Sequence, residues 1–225
     1  NHKLIPQIDE CLSVDNAITQ KSLKEYARKL LESDPGLFVI NEEKRTRDKI
    51  LNAFEGISLL PPLAFKLTVA SEQRPEVFDH SVRVALISIF LAIKTYYFSQ
   101  KELTAFAAAA IFHDLGILHI SPEMLKPGRQ LEKSERHYLY THPITGYLLL
   151  SLFAEYHPEV SRTVFEHHER LDGSGYPRGL KADEICIGAQ VLMLAEVANT
   201  VFEQNVAPQT LAKLSVLLRL NRQKF

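Results

Sequence analysis

The sequence predicts an all-α fold, and three observations carry that reading. Apolar residues recur at helical spacing through nearly every long segment. Helix-start signals such as Ser-x-x-Glu and Pro-Pro stand at the heads of those segments. Only residues 37–40 and 185–187 look strand-like. In chain order, Ser22-x-x-Glu25 is a capping box for a helix whose Leu23, Tyr26, Ala27, Leu30 and Leu31 share a face, and Asp34-Pro35-Gly36 ends it. Asn41 caps a second helix, with Glu42 and Glu43 in its first turn and Ile50, Leu51 and Phe54 on its buried side. Pro61-Pro62 opens a third. Residues 77–99 form a long apolar central helix, and residues 103–115 an alanine-rich one that packs closely, with Gly116 as its C-cap. Residues 121–131 hold Pro122, Pro127 and Gly128 and read as a loop or a short helical turn. Helices over 132–153, 159–170, 189–202 and 209–221 complete the set.

Composition narrows the function. The 225 residues are 46% apolar and 24% charged, which supports a packed core. The 26 Lys+Arg against 27 Asp+Glu exclude a DNA-coating polyanion binder but not a small phosphate ligand. Apolar runs such as residues 84–93 are too short to span a bilayer, and no secretory signal is present. Cys11 and Cys186 make neither a disulfide framework nor a thiolate metal site, so a reducing cytoplasm is the expected compartment. The sequence begins at Asn1 and reads as a piece of a longer protein. Of nine histidines, only His2 precedes residue 80. That change in usage places a soft boundary between a region over 1–72 and a domain over 73–225.

The histidine-rich part carries the chemistry. Glu76 and His80, four residues apart on a helix, share a face and can reach one ion. His113-Asp114 follows the alanine-rich helix, and a carboxylate there has two oxygens with which to bridge two cations. His142 and the pair His167-His168 come next, and Glu196 sits inside an apolar helix, costly unless paired or metal-bound. Five imidazoles and three carboxylates without a thiolate favour iron, manganese or a similar ion over structural zinc. His119, His137 and His157 read as structural or exposed.

The ordered pattern resembles the HD-GYP family, a branch of the HD phosphohydrolases. His80 within HSVRVA, His113-Asp114-x-Gly116, the stretch from Ser121-Pro122 to Lys126-Pro127-Gly128, His142-Pro143-x-x-x-Gly146, and HHERLDGSGYPRGL over 167–180 all match. The resemblance covers about residues 76–200. It implies an HD-domain helical bundle holding two or three divalent metal ions and hydrolysing cyclic di-GMP to the linear dinucleotide or GMP. It carries the ligand role to His80, His113, Asp114, His142, His167 and His168. Glu76 matches the extra carboxylate of trinuclear-iron members, and Glu196 falls where the family has Asp. Asp114 and Tyr176 take the catalytic positions. Gly173, Gly175, Tyr176 and Pro177 border the substrate, on a loop that in the family also meets GGDEF-domain proteins.

Three departures bear on activity. Ile117 stands where the family has a phosphate-touching lysine, Glu196 is one methylene longer than Asp, and residues 201–210 contain no arginine. Two readings follow: a cyclic di-GMP phosphodiesterase, or a catalytically degenerate domain that keeps its metal and serves as a nucleotide-binding or protein-interaction module. Residues 1–72 read either as a regulatory or homodimer-forming appendage or as a cap on the larger domain.

Overall fold

The structure is a computed structural model that describes residues 17–96, 98–126 and 128–204. The chain is all-α. Helix α1 (Gln20–Ser33) starts at Thr19, whose hydroxyl accepts from Ser22 N while Ser22 caps back onto Thr19 N. The expected Ser22–Glu25 box is thus displaced three residues earlier. Asp34 ends α1 and, by accepting from Gly36 N at 2.8 Å, opens a 3₁₀ turn at Pro35–Leu37. That local bond overrides the strand propensity of residues 37–40. They enter helix α2 (Phe38–Glu42), and Asn41 lies inside it rather than capping the next helix.

Helix α3 (Lys44–Glu55) follows, then α4 (Pro61–Gln73) with its prolines at the start, and the long α5 (Pro75–Thr95). Helix α6 (Gln100–Phe112) is fixed at its head by a Ser99–Glu102 capping box. It ends at His113, three residues before the expected Gly116, and the chain tightens into a 3₁₀ turn at Leu115–His119. A second such turn spans Pro122–Leu125. The single helix expected over 132–153 is two, α7 (Lys133–Leu139) and α8 (His142–Ser151). Pro143 has no N–H to donate to the previous turn and is tolerated only in the first turn of a helix, so α8 starts anew at His142 and the break falls at residues 140–141. Helix α9 (Pro158–Glu166) and α10 (Ile187–Gln204) complete the described chain. Residues 185–187 make no strand; an isolated bridge joins Asp172 and Lys181. The helix expected over 209–221 and Cys11 lie outside the described residues.

Helix α5 sits at the centre, against α6 on one side and α10 on the other. Its Val82, Val84, Ala85, Leu86 and Ile89 are fully buried. One hydrophobic core runs from Leu23 of α1 through Phe54, Leu67 and Ile111 to Ala198 of α10. A small satellite of Ile185, Cys186 and Ala189 lies under the long loop after α9, with Leu171 and Leu180 packed on it. Among the described residues no helix is long and apolar enough to cross a membrane.

Candidate metal centre

The centre is built where α5, α6, α8, α9 and α10 meet. Alanines 107 to 110 are all buried, which lets α6 approach its neighbours closely and delivers His113 and Asp114 into the interior. Gly116 then passes against the head of α8: a Cβ there would lie 2.1 Å from the His142 carbonyl oxygen. Glycine at this position brings the turn after Asp114 and the first residue of α8 into backbone contact, and so places His142 beside Asp114.

Three histidines are oriented in the same way. The Nδ1 of His113 donates to Ala110 O at 2.7 Å, that of His142 to Leu139 O at 2.8 Å, and that of His167 to Val164 O at 2.6 Å. A carbonyl can only accept, so each neutral ring carries its proton on Nδ1 and offers a lone pair at Nε2. Those lone pairs converge. His142 Nε2 and His167 Nε2 are 3.3 Å apart, and Asp114 Oδ1 lies 3.3 Å from the first and 3.7 Å from the second. His113 Nε2 stands 3.0 Å from Glu196 Oε1 and 3.4 Å from Asp114 Oδ2. Yet His113 Nε2 and Asp114 Oδ1 are buried with no hydrogen-bond partner among the described residues. Electron pairs aimed at one another in a dry interior are unfavourable unless a cation lies between them.

The donors fall into two groups that share Asp114. One is Asp114, His142, His167 and His168, and the other is His80, His113 and Asp114. Glu196 adjoins the second group, with His80 Nε2 3.1 Å from its Oε1. Divalent ions fit this donor set, which is nitrogen and oxygen throughout, with the shared carboxylate between the two positions.

The electrostatics divide by group: burial opposes charge on His113 and His80, but the Asp114 and Glu196 carboxylates beside them draw both above the ordinary imidazole value. Burial disfavours charge on Asp114, but His113, His167 and His142 outweigh it and hold the carboxyl well below its usual value. Burial likewise opposes ionisation of Glu196, and contacts with His113 and His80 overcome it. Burial pushes His142 down to about 4, against the pull of Asp114, so its Nε2 stays free to ligate. His168 is pushed well down, first by burial and then by its histidine neighbours.

The loop after α9 forms one rim. Tyr176 stacks on His168 with ring centroids 4.7 Å apart and on Tyr140 at 3.9 Å. Burial and the nearby Asp114 carboxylate raise its pKa far above the ordinary phenol range, so the hydroxyl keeps its proton. Gly175 packs flat against the Glu169 backbone, where a Cβ would come within 2.4 Å. Gly173 and Pro177 lie on the same loop, half-buried, Pro177 joined to Tyr176 by a cis peptide.

The structure therefore gathers His80, His113, Asp114, His142, His167, His168, Glu196 and Tyr176. It does not gather Glu76, whose side chain is 64% exposed and accepts from Arg74 Nε at 2.6 Å. His119, His137 and His157 are exposed. Two carboxylates absent from the sequence reading of the site are fully buried beneath the loop. Glu169 accepts from Arg178 N at 2.7 Å and Leu180 N at 2.8 Å. Glu166 accepts from Arg178 Nη2 at 2.7 Å, Arg162 Nε at 3.0 Å and Cys186 N at 2.7 Å. Their sequence signal is two acids three residues apart flanking the histidine pair, Glu166 at the end of a helix whose Val160, Thr163 and Val164 are buried and Glu169 just past it.

Comparison with known proteins agrees with this geometry. Residues 69–214 match the HD domain family. The chain is 30% identical over 192 residues to a cyclic di-GMP phosphodiesterase of Thermotoga maritima, covering 82% of this chain and 50% of that protein. It is 24% identical over 216 residues to 3'3'-cGAMP-specific phosphodiesterase 3 of Vibrio cholerae, covering 86% and 46%. It is 38% identical over 101 residues to the cyclic di-GMP phosphodiesterase response regulator RpfG of Xanthomonas campestris, covering 44% and 26%. The chain thus spans half or less of each of these relatives. In fold it is similar to an HDG"Y"P protein from Bdellovibrio bacteriovorus, with a TM-score of 0.56 at 19% identity over 95% of this chain and 72% of that one. With its family match, its ordered histidine and aspartate motifs and its helical fold, the chain belongs to the HD domain family, in the HD-GYP branch.

Proposed function

We propose that the chain is a metal-dependent cyclic dinucleotide phosphodiesterase, with cyclic di-GMP as the leading substrate. The observation that supports this most directly is the sharing of Asp114 between two donor groups, with Asp114 Oδ1 and His113 Nε2 buried and without hydrogen-bond partners among the described residues. Iron or manganese suits the all-nitrogen-and-oxygen donor set. Divalent ions bound there would neutralise phosphate oxygens and activate a water for in-line attack. The residues supply the rest. Asp114, His142, His167 and His168 would hold one position; His113 and Glu196, again with Asp114, would line the other, with His80 beside them. Tyr176 and Tyr140 offer stacked aromatic faces at the rim, suited to a purine base. The protonated Tyr176 hydroxyl is a donor for a phosphate oxygen.

The test is to load the full chain with Mn²⁺ or Fe²⁺ and incubate it separately with cyclic di-GMP and 3'3'-cGAMP, following linear dinucleotide and mononucleotide by chromatography. Cleavage of either that is lost in Asp114→Asn supports the proposal, and the preferred nucleotide names the substrate. The degenerate reading rests on Ile117 in place of a phosphate-touching lysine. Metal and nucleotide binding without any product would establish it and overturn the catalytic one.

A further inference from the structure

The His80 ring is held differently from the other three. Its Nδ1 faces not a carbonyl but the side-chain Nδ2 of Asn199, at 3.2 Å. Asn199 is fully buried. Its amide is gripped from both sides: Arg83 Nε donates to its Oδ1 at 3.0 Å, and its Nδ2 donates to Glu203 Oε1 at 2.9 Å. A cation on one side and a carboxylate on the other permit only one orientation of that amide. Turning it over would set two donors against each other at Arg83 and two acceptors at Glu203. Arg83 is anchored in turn by an ion pair with Asp34, at the end of α1.

The remaining amide hydrogen therefore points at His80 Nδ1, which must accept. In the neutral ring that places the proton on Nε2, directed at Glu196 Oε1 at 3.1 Å. A histidine that ligates a metal through Nε2 normally donates its Nδ1 proton to a carbonyl or carboxylate. His113, His142 and His167 meet that condition, whereas His80 faces a donor instead.

We infer that Asn199 is a positioning residue that fixes the tautomer of His80, making it a hydrogen-bond donor to Glu196 rather than a metal ligand. The position at His80, His113 and Asp114 is then the weaker of the two, and the chain retains one ion firmly rather than two. Filling the second position requires the Asn199 amide to turn, which breaks its contacts with Arg83 and Glu203. Because Arg83 pairs with Asp34, the N-terminal helices take part in setting that occupancy. This rests on the reading of the site as a metal centre, but the tautomer assignment does not depend on catalysis.

Two measurements test it. The first is the ¹⁵N–¹H two-bond correlation spectrum of the full chain after chelation, with His80 assigned from His80→Gln. We expect the pattern of an Nε2–H ring for His80 and of Nδ1–H rings for His113, His142 and His167. An Nδ1–H pattern for His80 overturns the inference, whatever variants do. The second compares Mn²⁺ retained after dialysis in the wild type and Asn199→Asp, by elemental analysis. A carboxylate accepts from Nδ1, so this variant should switch His80 to Nδ1–H, raise retention from one ion per chain to two and tighten the second ion ten- to a hundredfold. Two equally retained ions in the wild type, or no gain in a folded Asn199→Asp, overturn it. Absence of cleavage with the expected tautomers would instead count against the phosphodiesterase reading alone.

Discussion

Replacing Glu169 by Gln isolates what holds the loop that carries Tyr176. Glu169 is fully buried, and its two carboxylate oxygens each take one backbone N–H, Arg178 at 2.7 Å and Leu180 at 2.8 Å. Gln has the same shape but only one acceptor oxygen, so one of these amides would face an NH₂ group. Losing a hydrogen bond to a charged acceptor costs about 1.5–3 kcal/mol, and the buried N–H left behind keeps the total toward the upper end of that range. About 3 kcal/mol corresponds to roughly a hundredfold larger population of the open loop. Hydrogen exchange followed by mass spectrometry reads this directly. Amides of residues 176–181 should exchange roughly a hundredfold faster in Glu169→Gln, by that same conversion, while the core of α6 keeps its protection. Unchanged exchange in the loop would refute the claim that Glu169 holds it. Equal acceleration in α6 would show that the residue supports the whole fold instead.

Three further outcomes follow from the geometry. Gly116→Ala forces a Cβ against the His142 carbonyl; it should cost about 1–3 kcal/mol of stability, seen as a melting temperature lower by several degrees, and reduce retained metal by moving His142 from Asp114. Tyr140→Ala removes the ring stacked on Tyr176 and should weaken cyclic di-GMP binding by about 1–3 kcal/mol in calorimetry, with Tyr140→Phe close to wild type; unaltered affinity in Tyr140→Ala would remove the rim from the base-binding surface. Ile117→Lys should add one charge-assisted contact to phosphate, about 1.5–3 kcal/mol, raising nucleotide affinity or turnover roughly ten- to a hundredfold, and no change in either would show that the position does not meet phosphate.

The candidate ligands that the sequence offered stand on helices or just past their ends, and the fold brings most of them together. His113-Asp114 at the end of an alanine-rich helix and His142 were singled out by the joint, ordered pattern of histidines and carboxylates, and Tyr176 by the resemblance of residues 167–180 to the HD-GYP motif. What could not be read was which groups face the ligands from elsewhere in the chain. Glu76 and His80 share a helix face, but Arg74 is close enough to claim Glu76. Asn199 looks like an ordinary helix residue until α10 is laid beside α5. Helix boundaries shifted for similar local reasons: Thr19 displaced Ser22 as a cap, and Asp34 bent strand-prone residues 37–40 into a helical turn.

The unbroken core from Leu23 to Ala198 has a thermodynamic consequence. Helices α1 to α4 and the ligand-bearing helices bury their apolar faces in one another, so neither set retains a dry interior when the other melts. Heating should give one transition with equal calorimetric and van't Hoff enthalpies, and cutting the chain near residue 72 should yield insoluble material rather than a minimal domain. Metal bound near Asp114 would then raise the melting point of residues as distant as Leu23 by the same amount as that of the site itself.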